Sequence, residues 1–349
     1  MWHPNATILH WDGTKWSSAR GAHRHAALVG TGTVAGSIWA VGWAPAGSSR
    51  RPVAEHRKGS SWRGTAVPSG RSGFGELEGV AGTSPRDVWA VGWISAGKLG
   101  TPHTSPLIEH WNGERWAIVP NPLSRSSGYL AGVAALSPTN VWAVGSPSVI
   151  LHWNGKRWRR VGFPIPAGPG PYPSGGGRAH VRLFSLTALS AHDIWAAGNE
   201  RFLAYRGHVR DQTFILHWDG TQWTLVASPN HAPVQHGSTL SGVAGAGANE
   251  VWAVGSWGTG HGRQALIERW NGKSWRIAAT PVASSGALAG AVTLSAADAW
   301  AVGDSLALHW NGSSWTRVLL PSTESGVLLS QIAAVSPTDL WAVGFENVY

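Results

Sequence analysis

The side chains in this sequence able to do chemistry are its carboxylates, imidazoles and indoles, and their spacing limits what each can do. His10, His56, His110, His152, His217 and His309 occupy one position of a repeating pattern, each just before a tryptophan or, after His56, Arg57. Metal ligands must converge on a point, whereas residues spread one per repeat around a chain do not; these histidines are read as hydrogen-bonded within their own repeats. His23-Arg24-His25 offers two close imidazoles but no spaced partner motif, so no metal site is assigned. Most acids also fall on repeat positions. Asp87, Asp193, Glu250, Asp298 and Asp339 stand two residues before a recurring tryptophan and are read as shaping a turn. Asp12 and Asp219 sit in Asp-Gly turns, and Glu55, Glu109 and Glu268 precede the repeated His or Arg. The remaining acids on the variable face include Glu200, Asp211, Asp304 and Glu346. Glycoside chemistry needs two carboxylates at a defined separation, and no motif selects a pair among the four. Nucleophile elbow, phosphate loop, dinucleotide fingerprint and zinc-protease helix are all missing. The sequence therefore assigns no catalytic residue, no metal and no cofactor, and the chain is read as not an enzyme.

Aromatic residues offer a different chemistry. Trp2, Trp43, Trp93 and Trp257 are the only tryptophans outside repeated positions. Trp43, Trp93 and Phe345 each follow a Trp-Ala-Val-Gly segment, and Trp257 comes one residue later in its repeat. With Arg50, Arg51 and Lys98 nearby in sequence, they form a candidate platform for stacking sugar rings or bases. A second basic cluster comprises Arg201, Tyr205, Arg206, His208 and Arg210. The candidate ligand-binding residues are thus Trp43, Trp93, Phe345, Arg50, Arg51, Trp257 and Arg206. The competing reading is that the aromatics pack between structural units and the arginines are solvated.

These residues must be positioned by repeated elements. Trp-Ala-Val-Gly, or Trp-Ala-Ala-Gly once, places a tryptophan at 39, 89, 142, 195, 252, 300 and 341. A second motif, His-Trp-Asn/Asp-Gly-x-x-Trp with local departures, ends at Trp16, Trp62, Trp116, Trp158, Trp223, Trp275 and Trp315. Asn-Gly and Asp-Gly predict type I′ hairpin turns, in which both central residues take positive φ. The first motif predicts another hairpin, giving four strands, A to D, per repeat. In strand B tryptophan and valine share one face, alanine and glycine the other. Small residues opposite large ones let blades pack radially, with both faces buried. Repeats of this length with four strands indicate a propeller.

The expected fold is all-β: a seven-bladed β-propeller of four-stranded antiparallel blades, with residues 1–349 as one domain. The chain starts inside a C strand, Ile8-Leu9-His10-Trp11, and stops after a B strand ending near Phe345. Residues 1–20 and 325–349 are expected to complete blade seven together, N-terminal strands C and D pairing with C-terminal strands A and B. The A–B and C–D turns are short and constant, while the B–C and D–A connections vary, including the proline-rich run from Pro164 to Gly177. Variable loops on a rigid scaffold are where binding resides, so ligand contacts are assigned to the B–C/D–A face.

Composition narrows the partners. With 27 basic and 18 acidic residues the formal net charge is +9, which favours anionic partners such as acidic polysaccharide or an anionic surface. Specific nucleic-acid binding is not expected, no apolar run is long enough to span a bilayer, and a monomer is expected. With no cysteine there is no disulfide framework. Met1-Trp2-His3-Pro4-Asn5 lacks the regions of a signal peptide, so the chain is read as cytoplasmic unless an export segment precedes it, in which case secretion or surface display is expected.

Val88-Trp89-Ala90-Val91-Gly92, followed by His110-Trp111-Asn112-Gly113, resembles bacterial Trp-rich repeats of the tectonin type. The Gly-x-x-Trp ending is more weakly similar to Asp-box, sialidase-like propellers, but the aspartate of that box is replaced by tryptophan or Arg57. The tectonin resemblance implies a lectin or surface-binding module. It transfers no binding residue, because sugar contacts in such propellers lie in loops that do not align here. The function read from the sequence is a binding module for a glycan or anionic surface polymer. A protein-interaction scaffold and a glycan-active hydrolase or lyase are the alternatives.

Overall fold

The computed structural model describes residues 3–47, 49–70, 74–95, 104–166, 180–203, 209–230, 237–259, 262–281, 286–321 and 326–348. They form seven four-stranded antiparallel sheets. Each is a blade, ordered A to D from channel to rim. The A strands are Ala27–Val34, Gly75–Ser84, Tyr129–Ser137, His180–Ser190, Ser238–Gly247, Leu288–Ser295 and Val327–Ser336. Each touches the A strand of the next blade, and the last touches the first, so the blades close a ring.

The closing blade is built as the termini suggest. His3–Trp11 pairs antiparallel with Asp339–Val348, from His3 opposite Val348 to Trp11 opposite Leu340. Trp16–Ala19 adds strand D.

Tryptophan explains how blades adhere. Trp39 of blade one lies 5.7 Å from Trp111 and 5.5 Å from Trp116 of blade two. Trp195 meets Trp270 and Trp275 of the next blade at 5.0 and 5.4 Å. Trp300 meets Trp11 and Trp16 across the closure at 4.8 and 5.7 Å. Every B-strand tryptophan is thus clasped by the C–D hairpin of the following blade. Where blade one carries Arg57 instead of a tryptophan, its guanidinium stacks 4.7 Å over Trp341.

On its own blade, the recurring histidine stacks on the same tryptophan and binds the Asp or Asn that opens strand B. His10 reaches Asp339 at 3.0 Å, His110 reaches Asp87 at 2.8 Å, and His152, His217 and His309 reach Asn140, Asp193 and Asp298 at 2.9, 2.9 and 3.0 Å. In blade five both partners are exchanged together: Arg269 makes a bidentate pair with Glu250 at 3.0 and 2.7 Å. The histidines are therefore structural, as expected. The acids do more than shape a turn, for they tie strand B to strand C. Blade one has Ser37 at the acid's position, and there Ser37 donates to the Arg57 carbonyl. His56 titrates below its ordinary range, first through burial and then through Lys58 and Arg63.

Two local expectations are corrected. The C–D turns are not type I′: Gly113 has φ of 100°, but Asn112 is not among the residues with positive φ. Instead the Asn112 side-chain oxygen accepts from the backbone N–H groups of Glu114 and Arg115, both at 3.0 Å, in a four-residue loop between paired Trp111 and Trp116. The glycine of Trp-Ala-Val-Gly also has another cause. Strand A bulges opposite it, so a Cβ on Gly92 would lie 2.0 Å from the Glu76 carbonyl oxygen of the same blade, and one on Gly198 would lie 1.8 Å from that of Arg182. A backbone within its own sheet, rather than the neighbouring blade, excludes a side chain there.

Candidate functional site

Each A strand begins and each B strand ends on the variable face. Just inside that face, strand A carries a buried leucine (Leu77 in blade two), with one residue before it and a bulge residue after it. Around the ring the residue before the leucine is Ala27, Glu76, Tyr129, Arg182, Thr239, Ala287 and Leu328. The bulge residue is Val29, Glu78, Ala131, Phe184, Ser241, Ala289 and Ser330. Every ionisable group in these fourteen positions falls in consecutive blades two, three and four.

The groups interact. Arg50, from the B–C hairpin of blade one, binds Glu76 at 3.0 Å and stacks 4.2 Å over Trp43. Trp93, cross-strand from Glu76, packs against Phe74 at 5.4 Å and donates its indole N–H to Glu78. Tyr129 hydrogen-bonds Ser146, its cross-strand neighbour. Glu78 also lines the channel, a cavity of about 240 Å³ edged by all seven A strands.

Burial sets the electrostatics. Glu78 is pushed up to about 8, first by desolvation and then by the charge of Glu76, against the hydrogen bond from Trp93 and the attraction of Arg50. It is therefore mostly a neutral acid at pH 7, able to donate a hydrogen bond. Burial also raises Glu76, opposed by Arg50, and raises the Tyr129 hydroxyl. Arg182 makes no ion pair among the described residues.

The candidates named from sequence separate into three groups. Trp43, Arg50 and Trp93 are brought to this mouth, the tryptophans partly exposed and Arg50 exposed. Arg51 is exposed on the same hairpin, opposite Ala44. Phe345 holds the same ring position in blade seven, but no ring contact joins it to Trp43 among the described residues. Trp257 lies apart, in a groove beside Gln264, Ile277 and Thr280 of blade five. Lys98, Tyr205, Arg206 and His208 lie outside the described residues.

Other candidates are engaged elsewhere. Arg201 and Asp211 form a bidentate pair at 2.9 Å across the blade-four hairpin. Asp304 accepts from the Ala287 backbone at 3.1 Å. His23 binds Glu55 at 3.1 Å and His25 binds Asn5 at 3.2 Å. Among the described residues no cluster of three or more His, Asp or Glu is arranged to hold a metal. No described helix is long and apolar enough to cross a membrane.

Glu76, Glu78, Tyr129 and Arg182 escape a search confined to loops. Their signal lies in the aligned repeats: Gly-Glu-Leu-Glu-Gly-Val at 75–80 against neutral residues at the same positions elsewhere.

No family model matches this chain, and no curated protein sequence matches it. Solved structures do. YCF48 bound to D1 peptide superposes with a TM-score of 0.57 at 14% identity, covering 93% of this chain and 94% of that one. YCF48 from Cyanidioschyzon merolae gives 0.57 at 15% identity, covering 91% and 96%. A PL25 polysaccharide lyase, an ulvan lyase bound to -[GlcA(1-4)Rha3S]-, gives 0.55 at 11% identity, covering 91% of each. Likeness at this identity establishes the shared propeller fold alone.

Proposed function

We propose that this chain is a non-enzymatic binding propeller that holds a glycan at the variable-face mouth of its channel. One observation carries the reading: among seven equivalent blades, the ionisable mouth residues gather on three consecutive ones, beside two half-buried tryptophans outside the architectural set. A symmetric scaffold has no packing reason to concentrate Glu76, Glu78, Tyr129 and Arg182 on one side. Indole faces beside hydrogen-bonding groups suit sugar rings, which present apolar faces and hydroxyl edges. A single asymmetric site also fits better than one equal site per blade. A saccharide and a peptide are bound by two of the similar propellers, so this architecture is compatible with either partner.

Binding to a glycan array, followed by calorimetry on the hits, tests the proposal. Trp43→Ala with Trp93→Ala is expected to weaken binding at least about tenfold, the loss of roughly one stacking contact per indole, with thermal stability preserved. Unchanged affinity in the double variant would remove this mouth as the site. The Glu76–Glu78 pair favours a glycan-active enzyme as the second reading. Release of reducing ends by the wild type but not by Glu78→Gln would replace the binding proposal with that one.

A further inference from the structure

The mouth also indicates which kind of sugar it receives. Its charges are unevenly compensated. Glu76 is matched by Arg50 at 3.0 Å, and Glu78 already accepts the Trp93 indole N–H. Arg182 has no carboxylate partner among the described residues, although it is only partly exposed. Directly opposite Arg182 on the paired strand stands Asn199, 2% exposed, whose side-chain oxygen has no hydrogen-bond partner among the described residues. Residues directly opposite in an antiparallel pair share a face, with Cβ atoms about 5 Å apart. Asn199 therefore shares the face of Arg182 but is closed off from solvent. The Tyr129 hydroxyl lies in the next blade, close enough to feel both Arg182 and Glu78 electrostatically.

We infer that the mouth recognises a hexuronate residue of an acidic glycan, with Arg182 and the Tyr129 hydroxyl receiving its carboxylate beside Glu78 and the Trp93 ring. This rests on the mouth being a glycan site and adds the chemical class of the sugar. The complement matches: a uronate supplies one planar anion, for which guanidinium is the best-fitting partner, and a ring whose apolar face suits an indole. A neutral hexose would leave Arg182 unpaired and desolvated. An isolated carboxylate or sulfate would leave Trp93 without a ring to cover.

Titration calorimetry with hexamers of galacturonate, of mannuronate and of glucuronate, against cellohexaose, decides the matter. At least one uronate hexamer is expected to bind about tenfold or more tighter than cellohexaose, the worth of a charge-assisted contact. Arg182→Gln is expected to abolish that preference while keeping the weaker neutral binding, and Arg182→Lys to retain part of it. The groups facing Glu78 are Glu76, Arg50, Trp93 and Tyr129. Glu78 is pushed up to about 8, so uronate affinity should fall between pH 7 and 9 in the wild type and stay level in Glu78→Gln. Equal affinity for uronates and cellohexaose, or an unchanged preference in Arg182→Gln, overturns this inference and leaves the glycan site standing. Failure of every hexamer to bind, when the array also yields nothing, overturns both.

Discussion

Replacing Glu109 with leucine should make this protein more stable. Glu109 is fully buried, and neither carboxylate oxygen has a hydrogen-bond partner among the described residues. In strand C it stands opposite Ala90, and at the same register other blades carry Leu9, Leu151, Leu216 and Leu308, all buried. The slot is therefore one into which leucine already fits. Burial pushes Glu109 from 4.5 up to about 8, so the native state holds a proton that the unfolded chain releases. Below pH 4.5 both states are protonated and the acid costs nothing electrostatically. Between that pH and about 8, native stability falls by about 1.4 kcal/mol per pH unit on account of this one group. At pH 7 the accumulated cost is about 3 kcal/mol, which Glu109→Leu removes. Urea unfolding of both proteins at pH 4, 5.5, 7 and 8 measures the difference directly, because contributions of the other carboxylates cancel in it. The gain should be largest at pH 7 to 8 and shrink to its packing part at pH 4. A gain independent of pH would show that Glu109 is ionised when folded, and a loss at pH 7 would show that its carboxylate has a stabilising partner. Glu55→Leu is the contrast: that acid accepts from Ala22 and His23 backbone N–H groups at 2.8 and 3.0 Å and pairs with the His23 ring, so its removal should destabilise.

Three further outcomes follow from the packing. Trp300→Ala should cost about 4 kcal/mol in denaturant unfolding, since it empties a buried indole site at the closing interface; a loss under about 1 kcal/mol would mean the clasp contributes little. Gly92→Ala should lower the melting temperature far more than Gly36→Ala, despite the positive φ of Gly36, because only at Gly92 would the Cβ meet a carbonyl oxygen at 2.0 Å; equal effects would refute the bulge as the reason for that glycine. Arg269→His alone should weaken blade five by roughly 1–3 kcal/mol through loss of a bidentate pair, and adding Glu250→Asp should restore much of it by recreating the His–Asp pair of other blades. A double variant no better than the single one would show that the two positions are not coupled.

The ring, the blade count and the shared closing blade were readable because they depend on residue types that recur: tryptophan where blades meet and glycine where strand B passes the bulge of strand A. The reason for that glycine was not readable, since a bulge changes the facing of side chains without changing their spacing. The bridging acids were hidden for a related reason. Asp339 pairs with His10 across 329 residues of chain, a contact that exists only once the ring has closed. Position within the sheet, not proximity in sequence, also kept Glu76 and Glu78 from being grouped with Trp93, although Glu76 stands directly opposite it. The attention given to variable loops found the aromatic half of the mouth and missed its polar half, which lies at the starts of the A strands.

The seam of the closing blade also has a mechanical direction. His3 and Val348 are paired at one end of it, and the strands run from there side by side toward Trp11 and Leu340. A load applied through residues 3 and 348 would pull across the seam rather than along it, parting the rungs in succession instead of shearing them together. The closed ring would thus open like a zip when drawn by its ends, although the same pairing resists separation when no force acts on them.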